Sequence, residues 1–198
     1  MLSISIQAGG QSKRMGENKA LIHFHGELLI QRVLNRVRSA GEDLFVTTNQ
    51  PEMLRFLGEN LVSDYFPGKG GLGGLYTALR YAKHPYVAVV ACDMPFVSLA
   101  LLKAEYEMIS EDPVCDVVIP NSGEGLEPFH AVYRKKTCLP AVEKAIRAGK
   151  KRLIGWLQEI NPRILTVEEI RLYDPEMRAF MNINTKDDLL KAERMNLE

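Results

Sequence analysis

Between Tyr86 and Asp93 the chain reads Tyr-Val-Ala-Val-Val-Ala-Cys-Asp, six apolar residues without alternation, closed by a carboxylate. A short run that is apolar on both sides predicts a central strand covered on both faces, which is the condition of a parallel sheet. Such a strand requires helices above and below it, and the flanking sequence supplies them in alternation. Strands are expected at 2–6, 43–48, 61–63, 86–92, 115–119, 129–133 and 163–167. Helices are expected at 28–38, where Leu29, Val33, Leu34 and Val37 share a face, and at 51–57, opened by a proline that suits a first turn. Further helices are expected at 75–82, from an N-cap at Ser98 through Met108, at 139–148, at 151–157, and from Thr185 through Ala192 with Asp187 and Asp188 in the first turn. This rhythm predicts an α/β fold, a three-layer α/β/α sandwich on a Rossmann-like, mostly parallel sheet. No repeat, low-complexity tract or linker divides it, so residues 1–198 are expected to form a single domain.

The first strand runs straight into Gln7-Ala8-Gly9-Gly10-Gln11-Ser12-Lys13-Arg14-Met15-Gly16-Glu17-Asn18-Lys19. Adjacent glycines after a strand let the backbone turn sharply and bring amide N–H groups close to a ligand. Ser12, Lys13, Arg14 and Lys19 add a hydroxyl and three cations, which is the chemistry that holds a polyphosphate. The loop is not a P-loop, because Glu17 rather than lysine follows Gly16. Nor do Gly9 and Gly10 make a dinucleotide fingerprint. A second glycine cluster, Gly68 to Gly74, does contain the pattern Gly-x-Gly-x-x-Gly, with Asp93 twenty residues past Gly73. Only a very short strand precedes it, and Asp64 and Pro67 intervene, so an NAD-binding domain is the poorer reading. Asp93, at the carboxyl end of a central strand, stands where open α/β sheets place their ligands and suits Mg²⁺; a turn or cap role is its bland alternative.

Composition narrows the partners. Lys plus Arg equals Asp plus Glu, so no overall field points to nucleic acid or to an anionic membrane, and any anion site must be local. No apolar run approaches a membrane span, and the start lacks the pattern of a signal peptide. Cys92, Cys115 and Cys138 lie far apart, which fits a reducing cytoplasm and gives neither a zinc site nor a disulfide framework. His23 and His25 are expected to share a surface face of one strand. Lys144, Arg147, Lys150, Lys151 and Arg152 form a basic patch, read either as a solvated helix face or as a receiver for a second substrate's phosphate.

The order Ala-Gly-Gly-x-Ser-x-Arg-Met-Gly-x-x-Lys-Ala-Leu resembles the signature loop of nucleotidyltransferases, and within them the molybdenum cofactor guanylyltransferases. Asp64, the Cys-Asp-Met-Pro segment at Asp93, Phe129-His130-Ala131-Val132-Tyr133 and Asn182-Ile183-Asn184-Thr185 follow in the same family's order. The resemblance implies a nucleotide-diphospho-sugar transferase-like fold and transfer of GMP from GTP to the phosphate of molybdenum-bound molybdopterin, with Mg²⁺ as cofactor. It implies catalytic roles for Arg14, Lys19 and Asp93, with Asp93 the metal ligand. Nucleotide contacts are implied at Gln7, Ala8, Gly9, Gly10, Lys19, Thr47, Asp64, Gly73 and Asp93, and Asn49 shares the region of Thr47. His130, Asn182 and Asn184 are the implied acceptor contacts; a core or sheet-surface role for His130 fits the sequence equally, and a turn-and-cap role is the alternative for Asn184-Thr185. Gln7 stands where the family has leucine, and Lys69-Gly70-Gly71-Leu72-Gly73 departs from the family's Pro-Leu-x-Gly. Two alternatives stay open: a CTP-using enzyme of the same fold with a pterin, sugar or polyol phosphate acceptor, and a non-catalytic GTP-binding module that delivers the pterin. Molybdoenzyme chaperones are partners the resemblance admits; nucleic acid and membrane are not.

Overall fold

The computed structural model describes residues 1–9, 18–150 and 152–195. In chain order its strands and helices are β1 (Leu2–Gln7), β2 (His23–Phe24), β3 (Glu27–Leu28), α1 (Leu29–Val37), β4 (Asp43–Thr47), α2 (Pro51–Leu54), β5 (Asn60–Val62), α3 (Gly70–Tyr81), β6 (Tyr86–Ala91), α4 (Leu99–Glu111), β7 (Val117–Pro120), β8 (His130–Arg134), α5 (Lys135–Arg147), β9 (Pro162–Leu165), α6 (Val167–Arg171) and α7 (Lys186–Glu193). Seven strands form one sheet in the order β5-β4-β1-β6-β8-β7-β9, while β2 and β3 make a separate two-stranded ribbon. β8 runs antiparallel to β6 and β7, and the other pairings in the large sheet are parallel. The expected α/β sandwich on a mostly parallel sheet is the observed fold.

β1 shows how the sequence assigns the layers. Leu2, Ile4 and Ile6 face one side, where they meet Ile30, Val33, Leu34 and Val37 of α1 and Leu101, Leu102 and Ile109 of α4. The opposite side of the sheet carries Phe45, Val87, Val89, Val117, Ile119, Ala131 and Tyr133, packed against Leu72, Leu75 and Leu79 of α3 and Val142 and Ile146 of α5. Period-two alternation in the strands therefore sends alternate residues into two separate cores. On β1 that second side is polar, Ser3, Ser5 and Gln7, and its partners are Asp43 and Thr47 on the neighbouring strand. From β1 the chain steps outward to β4 and β5, then crosses back through α3 to β6 on the other flank of β1. The reversal opens a crevice at the carboxyl ends of β1 and β6.

Four expectations need correction. The glycine cluster is not a loop leading to a helix at 75–82; α3 already begins at Gly70. A glycine in a helix interior costs about 1 kcal/mol against alanine, and close packing explains why Gly71, Gly73 and Gly74 stand there. A Cβ on Gly73 would lie 2.8 Å from the Phe66 carbonyl oxygen, and one on Gly74 would lie 2.4 Å from Gln7 Oε1. α5 begins at Lys135, ahead of Pro140, because the helix springs directly from the end of β8 and accommodates the proline inside. Residues 153–156 are turns followed by a short 3-10 turn, Leu157–Glu159, where a helix over 151–157 was expected; Trp156 and Leu157 are drawn into the α3–α5 core. His23 and His25 are both exposed, but the strand between them spans only His23 and Phe24, and His25 sits at φ 48° in the turn.

Candidate active site

β1 ends between two neighbours that hold its last residues open. The Ala8 N–H donates to the Thr47 carbonyl at 2.8 Å, and the Cys92 N–H donates to the Gln7 carbonyl at 3.1 Å. The crevice so formed measures about 170 Å³ and is lined by Gln7, Ala8 and Gly9 at its floor and by Lys19, Asp93 and Asn182 on one side. Asp64, Gly70, Gly71 and Gly74 line the other. Gly10 and Arg14, expected here, lie outside the described residues, as does Lys151 of the basic patch.

Lys19 is aimed by the residue before it. Asn18 caps the 3-10 turn Lys19–Leu21 by accepting from the Ala20 N–H at 3.1 Å, and its own amide donates to Gln50 Oε1 at 2.9 Å. So braced, Lys19 Nζ donates to Asp93 Oδ2 at 2.9 Å and to Asn184 Oδ1. Asp93 follows β6 directly, and its carbonyl accepts from the Ile183 N–H at 2.9 Å, stitching the 180–184 segment to the strand end. A capping box fixes that segment beyond the stitch: Asp188 accepts from the Asn184 and Thr185 amides at 2.9 and 2.8 Å, and Thr185 accepts in return from the Asp188 N–H. Asn182, whose side chain donates to the Phe180 carbonyl at 3.0 Å, remains on the crevice wall.

On the opposite side Asn49 and Asp64 hold each other. Asn49 Nδ2 donates to Asp64 Oδ2 at 2.7 Å, and the Asp64 N–H donates to Asn49 Oδ1 at 3.1 Å. The structure thus gathers Gln7, Ala8, Gly9, Lys19, Asp64, Asp93 and Asn182 into one crevice, with Asn184 joined through Lys19.

Three expected contacts lie elsewhere. Thr47 is buried beneath the floor, where its hydroxyl meets Ser5 and Gln7 rather than the crevice. Gly73 faces Phe66 and Lys69, because the helical turn rotates it away from the side that Gly70, Gly71 and Gly74 present. His130 is fully buried and has no surface to offer an acceptor. Its Nε2 accepts from the Ser98 N–H at 3.3 Å, and its Nδ1 meets Glu105 Oε1 at 3.1 Å, so the ring proton sits on Nδ1. Burial pushes the Glu105 carboxyl up to about 7 despite that partner. Cys92 also borders the crevice, and burial, with Asp93 beside it, raises its thiol far above the ordinary range.

Asn18 and Phe129 are lining residues that the motif reading missed, while Gly70, Gly71 and Gly74 lie in the glycine segment expected to approach the base. Asn18 carried a visible signal, an Asx residue just before a turn. The glycines at 70, 71 and 74 have the spacing of one helical face, which shows only once the segment is known to be helical. The basic patch resolves into ion pairs on the surface: Lys144 and Lys150 both meet Glu159, and Arg147 meets Glu143.

Among the described residues no three His, Cys, Asp or Glu side chains come together as a metal cluster. One carboxylate beside carboxamide oxygens is instead the donor set of Mg²⁺ that takes its remaining ligands from phosphates and water. Asp93 and the nearby carboxamides fit that pattern.

A glycine at the end of the first strand, a lysine braced on the crevice wall and the carboxylate it meets there, on a mostly parallel sheet, together define an α/β nucleotidyltransferase. Residues 4–162 match the model of the MobA-like NTP transferase domain. A molybdenum cofactor guanylyltransferase of Desulfosudis oleivorans is 38% identical over 95% of this chain and 92% of its own length. A probable molybdenum cofactor guanylyltransferase of Pelotomaculum thermopropionicum is 37% identical over 96% and 91%. The crystal structure of molybdopterin-guanine dinucleotide biosynthesis protein A from Archaeoglobus fulgidus superposes with a TM-score of 0.84 at 29% identity, covering 98% of this chain and 97% of that one. The chain belongs to the MobA-like NTP transferase family.

Proposed function

We propose that this protein is a molybdenum cofactor guanylyltransferase, transferring GMP from GTP to the phosphate of molybdenum-bound molybdopterin and releasing pyrophosphate. The observation that carries the reading is the convergence of Lys19, Asp93 and Asn184 on one side of the crevice at the ends of β1 and β6.

An oxygen of the acceptor phosphate attacks the α-phosphorus of GTP, and the bond from that phosphorus to the bridging oxygen breaks. The electron pair leaves with pyrophosphate. The attacking group is already an anion, so the step needs no side chain to remove a proton, which accords with a crevice that, among the described residues, offers Asp93 but no histidine in its lining. The protein's work is positioning and charge neutralisation. The Ala8 N–H is held by the Thr47 carbonyl, which leaves the Gly9 amide to face the phosphates, and Lys19 supplies positive charge to the departing pyrophosphate. Arg14 and Gly10 belong to the same loop in this reading. Asp93 would hold Mg²⁺, with Asn182 and Asn184 beside it, and the ion supplies further neutralisation of the triphosphate. Asp64, oriented by Asn49, contacts the nucleoside, and Asn182 and Asn184 border the acceptor. A single domain spanning 1–198, working in the cytoplasm and handing its product to molybdoenzyme chaperones, completes the reading. Its three buried free cysteines accord with a reducing compartment.

The test is pyrophosphate release with molybdopterin as acceptor and Mg²⁺, comparing GTP with CTP, and mass identification of the dinucleotide. GTP-dependent release with a guanine dinucleotide product is expected. Release with CTP alone would move the protein to cytidylyl transfer, and GTP binding without release would make it a delivery module.

A further inference from the structure

β1 ends in a side chain that the neighbouring layer only half uses. Gln7 points to the α3 side of the sheet and is 8% exposed. Its Nε2 donates to Ser5 Oγ at 2.9 Å and to Thr47 Oγ1 at 3.3 Å, so both amide hydrogens are committed beneath the floor. Oε1 is thereby turned the other way, toward the crevice and α3, and among the described residues no donor faces it. The helix leaves room for it there: a Cβ on Gly74 would lie 2.4 Å from Oε1. Asp64 Oδ1 lies 4.0 Å from the same point.

The end of the crevice away from Lys19 thus presents two acceptors and no cation among the described residues. Two acceptors together fit an edge that carries donors side by side. Guanine offers that edge in its ring N–H and adjacent exocyclic amine. Cytosine and adenine set an unprotonated ring nitrogen beside their amine, and that lone pair would face an oxygen. We propose that Gln7, through Oε1 and together with Asp64, selects guanine. This rests on the guanylyl-transfer reading above and deepens it. A buried acceptor left unpaired by the wrong base costs affinity, and a single such contact is worth roughly tenfold.

The measurement is equilibrium binding of GTP and of CTP, each with Mg²⁺ and without acceptor, to the wild type and to Gln7→Leu and Gln7→Asn. Leucine suits a position at the end of a buried strand, and Ser5 and Thr47 remain bonded to each other at 3.1 Å. Asparagine withdraws the acceptor without placing an apolar group against the hydroxyls, which provides a second variant should leucine fail to fold. The expected result is that both variants lose about tenfold in GTP affinity and leave CTP affinity unchanged. An unchanged GTP preference in folded variants overturns the role of Gln7 and leaves guanylyl transfer standing. So does an equal loss for both nucleotides, which would mark Gln7 as structural. A wild type without preference for GTP defeats the guanylyl reading itself.

Discussion

Lys19 and Asp93 are close enough to form an ion pair, yet their side chains keep 25% and 16% of their surface exposed. A pair in that setting contributes only about 0–1 kcal/mol to stability. Its value lies in placing opposite charges on one wall of the crevice. Replacing Asp93 by alanine is therefore expected to lower turnover by about three orders of magnitude, and Lys19→Ala by about two to three, as for loss of a group that meets charge in the transition state. Thermal unfolding of both variants should stay within a few degrees of the wild type. Steady-state pyrophosphate release and a melting curve on the same preparations check both halves, and an active Asp93→Ala enzyme would contradict the assignment. Cys92 is a neighbour with the opposite character. Burial keeps its thiol protonated, and Cys115 and Cys138 are buried too, so thiol reagents at pH 8 should titrate none of the three before denaturation and all three after it. That Lys19 and Asp93 line one crevice was legible in the sequence, from the cationic loop that follows β1 and from the carboxylate at the end of β6. His130 was not, because burial by α4 and β8 decides its role and no local pattern announces that.

At the scale of elements, α3 shows where local propensity misleads. Four of its first five residues are glycine, a poor choice for a solvent-facing helix, but Gly73 is fixed by the Phe66 carbonyl and Gly74 by the Gln7 amide. The start of the helix could not be read from the sequence because Gly71, Gly73 and Gly74 answer to atoms from other segments, and Gly70 to a backbone φ of 57°. Gly73→Ala tests this directly. On propensity alone the substitution should stabilise the helix by about 1 kcal/mol. With a backbone oxygen 2.8 Å from the new Cβ, it is expected instead to destabilise by about 1–3 kcal/mol, the usual range for overpacking. Urea denaturation measures the sign. The other strands and helices were easier to place: the buried run of β6 and the Ser98 and Thr185 caps, which accept from Leu101 and Asp188, carry their signals locally.

Across the whole molecule, the sheet order was less legible than its elements. Alternation of strand and helix implies a parallel sheet, but β8 inserts between β6 and β7 in the opposite direction. That insertion brings His130 of β8 under α4, where Glu105 and the Ser98 amide meet it. The cost is a carboxyl fully out of water whose Oε2 has no hydrogen-bond partner among the described residues. Burial raises it from 4.5 to about 7, against the pull of His130. The folded state then holds a proton that the unfolded chain releases at lower pH. Its contribution to stability is fully present below the unfolded value and is lost as pH rises from about 4.5 through about 7. Glu105→Gln keeps an oxygen for the His130 Nδ1 proton and removes the titration. The difference in unfolding free energy between wild type and this variant should therefore shift against the wild type between pH 5 and pH 8, then level off. Comparing the two proteins at each pH cancels the slopes from Glu127, Tyr133 and other groups they share. A difference that stays flat across that window would mean Glu105 is charged in the folded protein as in the unfolded chain, and that β8 is held under α4 without electrostatic penalty.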